Sequence, residues 1–180
     1  MAIPDKFKWQ SHWIQDTWWG SAHRDLPYVN EPFNDPASLA VWHELGYTQT
    51  RFTGDMYDMR NPEPEWIDPF RKIFPWQHFS WSVYCMKPGT TLPNHADTYA
   101  RFREIHDISN PDTVFRAVVF LEQWQSGHYF EIDQEPVVEW APGEAIIWRN
   151  NIKHLAANVG TTDRYTLQIT GVPDENILQQ

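Results

Sequence analysis

The chain has 180 residues, enough for one domain with a core of its own and too few for two. Its net charge of −10, from 24 acidic against 14 basic side chains, offers no general attraction to phosphate backbones or anionic lipid, so neither nucleic acid nor membrane is an expected partner. A single cysteine, Cys85, forms no intramolecular disulfide, the opening residues Met1 to Lys6 lack a signal-peptide stretch, and 11 Trp exclude a disordered polar chain. The expectation is a soluble, cytoplasmic, globular protein.

From Met1 to about Gln77 prolines break the chain repeatedly, which predicts an N-terminal flank (1–77) of short helices and irregular segments. One helix stands out: Asp35 caps a segment with Pro36 in its first turn, Ala37, Val41 and Leu45 recur at i, i+4, i+8, and Gly46 ends it. A shorter helix is expected after Asp68-Pro69. Trp9, Trp13, Trp18 and Trp19 are expected to pack a helix or coil onto the main domain, since aromatic surface of that size is usually buried.

From Trp81 onward short β-like runs alternate with turn signals. The runs are 81–87, 91–95, 114–121, 128–132, 137–140, 145–148 followed by 154–159, and 165–172, with turns at Pro88-Gly89, Ser126-Gly127, Pro142-Gly143 and Gly160. The expected fold is therefore mainly β, a double-sheet jelly roll over residues 78–172, with the N-terminal segments packed on it and a C-terminal tail (173–180). An open end between such sheets makes a ready site.

Chemistry points first to His95-Ala96-Asp97. In a strand the two side chains share a face, and a His-x-Asp pair with a distant His forms a facial triad that leaves positions open on non-haem Fe(II). The pair alone is a weak signal, because the chain holds a second one, His23-Arg24-Asp25. That one lies in Pro-broken sequence and reads as a polar surface turn. His95 instead follows a strand, a Pro-Gly turn and a short approach strand. His154 opens a strand after another turn-strand unit and supplies a third ligand. Ten residues on, Arg164 opens Arg164-Tyr165-Thr166; an Arg buried in a barrel is costly without an anion, and its planar fork suits a carboxylate, with Thr166 adding a hydroxyl. A rival set would join His23 and Asp25 to His106, which also has an Arg ten residues later, Arg116. His106 follows the mixed-charge segment Ala100 to Glu104, with no turn-strand unit leading into it. His12, His43 and His78 have no partner at ligand spacing.

These residues resemble Fe(II)/2-oxoglutarate-dependent oxygenases of the prolyl-hydroxylase-like and aspartyl/asparaginyl β-hydroxylase-like branches. The resemblance rests on Met86 to Asp97, on Phe120-Leu121 with Gly127, on Pro142 and Ala145 to Trp148, and on His154 with Val159-Gly160 and Arg164, across residues 81–172. It implies that His95, Asp97 and His154 bind Fe(II) and that Arg164, helped by Thr166, holds the distal carboxylate of 2-oxoglutarate. Such members often carry a Tyr where this chain has Met86, so Tyr84 is a substitute two residues earlier. The second Gly of a usual pair is His128, and a small hydroxyl residue is replaced by Arg116. Retention of Asp97 argues against the halogenases of this superfamily.

Arg116 alternates with Val118 and Phe120, which points it inward, either as a rim salt bridge or toward a substrate or cosubstrate carboxylate. His128, Tyr99 and Trp148 are candidate pocket walls. The implied reaction consumes O2 and 2-oxoglutarate, releases succinate and CO2, and hydroxylates a C–H bond of an amino acid, peptidyl residue or small metabolite. The alternative is a cupin-like metal-binding protein, or a metal enzyme of that barrel, that does not use 2-oxoglutarate.

Overall fold

The computed structural model describes residues 8–33, 35–48 and 52–173. The Met1 to Lys6 opening and all of the expected tail beyond Pro173 lie outside them. Two antiparallel sheets face each other. The larger runs in the order β1 (Trp9–Trp13), β9 (Glu144–Arg149), β6 (Phe115–Phe120), β11 (Arg164–Val172), β4 (Gln77–Met86), β3 (Asp55–Asp58), β2 (Val29–Asn30). The smaller runs β5 (Thr90–His95), β10 (His154–Asn158), β7 (His128–Ile132), β8 (Glu135–Val137).

Period-two alternation divides the large sheet into two chemically distinct faces. On the outer face Trp81, Val83, Ala117, Val119, Leu167 and Ile169 form a fully apolar core with Trp19, Phe70, Phe74 and Trp76. On the inner face β11 presents Arg164, Thr166, Gln168 and Thr170, in register with Met86, Tyr84, Ser82 and Ser80 of β4. Phe120, Val118 and Arg116 of β6 continue that grid on the other side of β11, and Trp148 of β9 lies opposite Arg116. A polar stripe thus looks into the space between the sheets.

The N-terminal flank departs from its expected irregularity: β1, β2 and β3 extend the large sheet at both edges. These short strands borrow hydrogen bonds from strands already formed, so pairing partners distant in sequence decide them and local pattern does not. Trp9 and Trp13 consequently lie in a strand, and Trp13 is 57% exposed, while Trp19 is buried. The expected helix is present as α1 (Pro36–Glu44), capped by Asp35 through the Ala37 N–H. Its buried side chain is Trp42; Val41 and Leu45, the expected apolar face, are exposed. One indole against Phe33, Phe52 and His95 fixes the helix in place of an aliphatic stripe. The short helix α2 (Phe70–Ile73) follows Pro69 as expected. The run 137–140 is strand only to Val137, and Trp140 leaves the ladder to stack on Phe120 with ring centroids 4.0 Å apart.

The closed end of the sandwich depends on glycine. Gly127 has φ +92°, and a Cβ there would sit 2.3 Å from the Gly160 nitrogen, so the turn at 126–127 packs backbone to backbone on the turn at Gly160.

Candidate metal centre and anion pocket

His95 ends β5 and His154 begins β10, and the two residues pair across the small sheet. Asp97 follows two residues after His95. One ligand atom from each of the three lies within 4.8 Å of the others, the one such His/Cys/Asp/Glu group among the described residues. The Asp97 carboxylate is 3.8 Å from His95 Nε2 and 3.7 Å from His154 Nε2.

Tautomers follow from the backbone. Nδ1 of His95 is 2.9 Å from the Pro93 carbonyl and Nδ1 of His154 is 3.1 Å from the Ile152 carbonyl, so each Nδ1 donates and each Nε2 is the nitrogen left beside Asp97. Burial pushes the His154 imidazole down to about 4, which keeps it neutral and able to ligate at physiological pH. Burial alone would raise the Asp97 carboxyl, but its neighbours, the Arg116 guanidinium first among them, outweigh it and hold it below the ordinary range. Two imidazole nitrogens and one carboxylate in such a cluster fit a divalent transition metal.

The cavity beside this cluster is about 240 Å³, the volume of a small-metabolite site and below the roughly 300–1,000 Å³ typical of drug-sized ligands. Arg164 and Thr166 line it, with Tyr84, Trp148 and Arg116. Arg164 is 5% exposed, and among the described residues no carboxylate pairs with it. Its Nη1 reaches only the Met86 sulfur at 3.4 Å, its Nε has no hydrogen-bond partner, and its guanidinium lies 5.4–6.0 Å from the rings of Trp140, Phe120 and Phe130. Burial pulls it down to about 10, still charged at neutral pH. A desolvated, uncompensated cation facing a cavity is an anion site in waiting.

Other sequence candidates fall into place differently. Arg116 Nε is 3.2 Å from Asp97 Oδ2, and its Nη1 donates to Gln168 Oε1. It is therefore neither a pure rim bridge nor a bare carboxylate receptor, because it holds a prospective metal ligand. Tyr99 lies at the N-terminus of α3 (Ala100–Ile105), with its ring 5.2 Å from the Arg116 guanidinium. Trp148 packs on His154 at 4.9 Å, and its indole N–H has no partner. His128 does not line the cavity: it shares the face of Phe130 but stands at the far end of β7, where its ring stacks on Trp140 and its Nε2 contacts the Thr162 carbonyl.

The rival set does not assemble. His106 stacks on His78 at 4.4 Å, whereas His23 is only 1% exposed, hydrogen-bonded to Glu122. His23-Arg24-Asp25 is thus no surface turn but a 3-10 turn that buries its histidine against the barrel. Sequence reading also missed Gln168, although its spacing from Arg164 and Thr166 on one strand places it on the same face. Phe33 and Met56, which wall the mouth, carry no such signal.

No protein-family model matches the chain, and no curated protein matches it in sequence. Among solved structures it is similar to a Pseudomonas putida prolyl-4-hydroxylase, at 12% identity and a TM-score of 0.58, over 94% of each chain. The fold is a jelly roll. KdgF from Halomonas (10% identity, 75% of this chain and 93% of that one, TM-score 0.42) and the cupin domain of an Enterobacter cloacae transcriptional regulator (13%, 66% and 96%, 0.42) are more distant.

Proposed function

We propose that this protein is an Fe(II)- and 2-oxoglutarate-dependent dioxygenase that hydroxylates a substrate C–H bond. The observation that carries the reading is the coexistence, in one small cavity, of the His95/Asp97/His154 cluster and the unpaired Arg164 guanidinium. A metal-binding barrel that did not use an acidic cosubstrate would have no use for a buried cation without a counter-charge.

In this reading His95, Asp97 and His154 would hold Fe(II). Iron so held supplies O2 activation coupled to oxidative decarboxylation of 2-oxoglutarate, giving succinate and CO2. Arg164 binds the far carboxylate of the cosubstrate and Thr166 donates its hydroxyl, which together orient the keto-acid end toward the metal ligands. Trp148 offers an N–H from the cavity wall. Phe120, Phe130 and Trp140 keep water from the Arg164 end, so that the ion pair forms in a low-dielectric setting.

Anaerobic protein loaded with Fe(II) should develop a weak visible absorption on addition of 2-oxoglutarate, and aerobic protein should form succinate. A flat difference spectrum from folded, metal-loaded protein would transfer the assignment to a cupin-type metal protein that does not use 2-oxoglutarate.

A further inference from the structure

The small cavity opens into a groove of about 830 Å³ bordered by β4, the segment Ala96–Phe102 and Phe33. Arg116 lines both spaces, as do Tyr84 and Asp97. Most charges in the groove already have partners. Asp35 caps α1 and accepts from Ser38, Asp58 holds Arg60, and Glu104 holds Arg101. Arg116 differs, because its partners are the carboxylate assigned to the metal and the neutral amide of Gln168.

Charge then decides what the groove lacks. Beside the metal ligands, the groups not already held in such pairs are one carboxylate, Asp97, and two guanidiniums, Arg116 and Arg164, while Glu31 shares Arg60 with Asp58. A divalent metal takes up the charge of Asp97, and a dicarboxylate at Arg164 balances the metal's remaining charge together with that arginine. One positive charge is left, at Arg116, whose side chain keeps 19% exposure. Across the ladders its neighbours are neutral: Thr170 of β11 and Trp148 of β9 pair with Arg116, and Ser80 pairs with Thr170. Arg116 lines the small cavity together with Arg164 but is engaged on Asp97 and Gln168, and its ladder partner Thr170 stands six residues from Arg164 along β11.

We infer that Arg116 receives a carboxylate of the substrate, so that the groove takes a small monocarboxylic acid and not an internal residue of a polypeptide. This rests on the dioxygenase reading and names its substrate class. The substrate acid displaces Gln168, a neutral acceptor, while Asp97 stays with the metal; the planar fork of Arg116 serves both carboxylates from different edges.

The test uses the full chain loaded with Mn(II) and saturated with 2-oxoglutarate, with paramagnetic broadening of ligand protons as the readout. The probes are the free amino acids, lactate, butyrate and benzoate, each beside its primary amide, together with end-blocked peptides. At least one acid should bind, with its amide roughly thirtyfold weaker or more, as expected for loss of one member of a desolvated charge pair. Arg116→Gln should reduce the acid to the level of its amide, and Arg116→Lys should restore part of the difference. The inference is overturned if no acid binds, if amides or blocked peptides bind as well, or if the preference survives Arg116→Gln. Should Arg116→Gln fail to fold, the acid-to-amide ratio in the wild type and in Arg116→Lys decides. Repeating the titration without 2-oxoglutarate separates the two readings: an acid preference in protein that never binds 2-oxoglutarate sinks the dioxygenase and keeps the carboxylate at Arg116.

Discussion

Two arginines stand on the inner face of the same sheet, and the protein treats them in opposite ways. Arg164 is walled by aromatic rings, has no carboxylate partner among the described residues, and is pulled down to about 10 by burial. For Arg116 burial works in the same direction, but Asp97 at 3.2 Å overrides it and raises the group above its ordinary value. As long as no metal claims Asp97, the paired arginine is balanced by that carboxylate. The unpaired one is a local loss of stability that only a bound anion can recover, and folds retain such costs where function needs them.

The sharpest way to break this contrast is at Arg164. Truncating one member of a buried charge pair costs about 2–5 kcal/mol in binding. Arg164→Leu should therefore raise the 2-oxoglutarate dissociation constant roughly thirtyfold to a few thousandfold, at about 1.4 kcal/mol per factor of ten. Mn(II) affinity should change little, because Arg164 touches none of the three ligands. Calorimetry on the Mn(II)-loaded variant measures both, and a 2-oxoglutarate affinity within about threefold of wild type would remove Arg164 from the anion site.

Stability of the metal-free protein sharpens the contrast from the other side. Arg116→Leu strands Asp97 in a buried site. Breaking a fully buried pair costs about 3–5 kcal/mol; with both side chains 19% exposed, about 2 kcal/mol is expected here. Arg164→Leu removes a charge that has no partner and fills the space with apolar atoms, so it should gain about 1 kcal/mol. Thermal unfolding of the two variants side by side should move the midpoint in opposite directions. Equal losses would mean that Arg164 has a structural partner and is no ligand-binding cation.

How much of this was legible in the sequence depends on the range of the interaction. Period-two alternation over 164–170, 116–120 and 82–86 marks the inner face because the pleat alone fixes it, and turn chemistry at Pro88-Gly89, Gly127 and Gly160 marks the strand ends. The spacing of His95, Asp97 and His154 singled out a triad, and the fold brings these three residues within ligating distance. What stayed hidden depends on partners far apart in sequence. β1 and β3 exist because β9 and β4 offer free edges; Trp42 outweighs Val41 and Leu45 because Phe33 and Phe52 come to it; Arg116 meets Asp97 through the crossing from one sheet to the other. The burial of His23 belongs to the same class, since its partner Glu122 lies 99 residues away.

That buried histidine supplies the smallest of the expected effects, on the outer side of the barrel where no ligand acts. Burial lowers His23, and this outweighs the help of Glu122. Glu122 is itself held below the ordinary carboxylate range: burial raises it, but Arg24 and His23 more than compensate. A histidine whose folded-state value is depressed takes up its proton first in the unfolded chain. Its contribution to stability is therefore complete above the unfolded value of about 6.5 and is lost as pH falls through it. Depression of Glu122 extends the loss below about 4.3, the unfolded value for glutamate. The metal-free protein should thus melt at progressively lower temperature between pH 7.5 and 5, and His23→Gln, which keeps a hydrogen bond to Glu122 without a titrating ring, should flatten that slope. The slope will not vanish, because His154 and His128 are lowered by burial in the same sense and remain in the variant. A His23→Gln profile parallel to wild type, or steeper, would mean that His23 is protonated in the fold and pairs with Glu122 as a cation. The outer face would then hold a structural ion pair of its own, and the inner face would no longer be alone in burying charge.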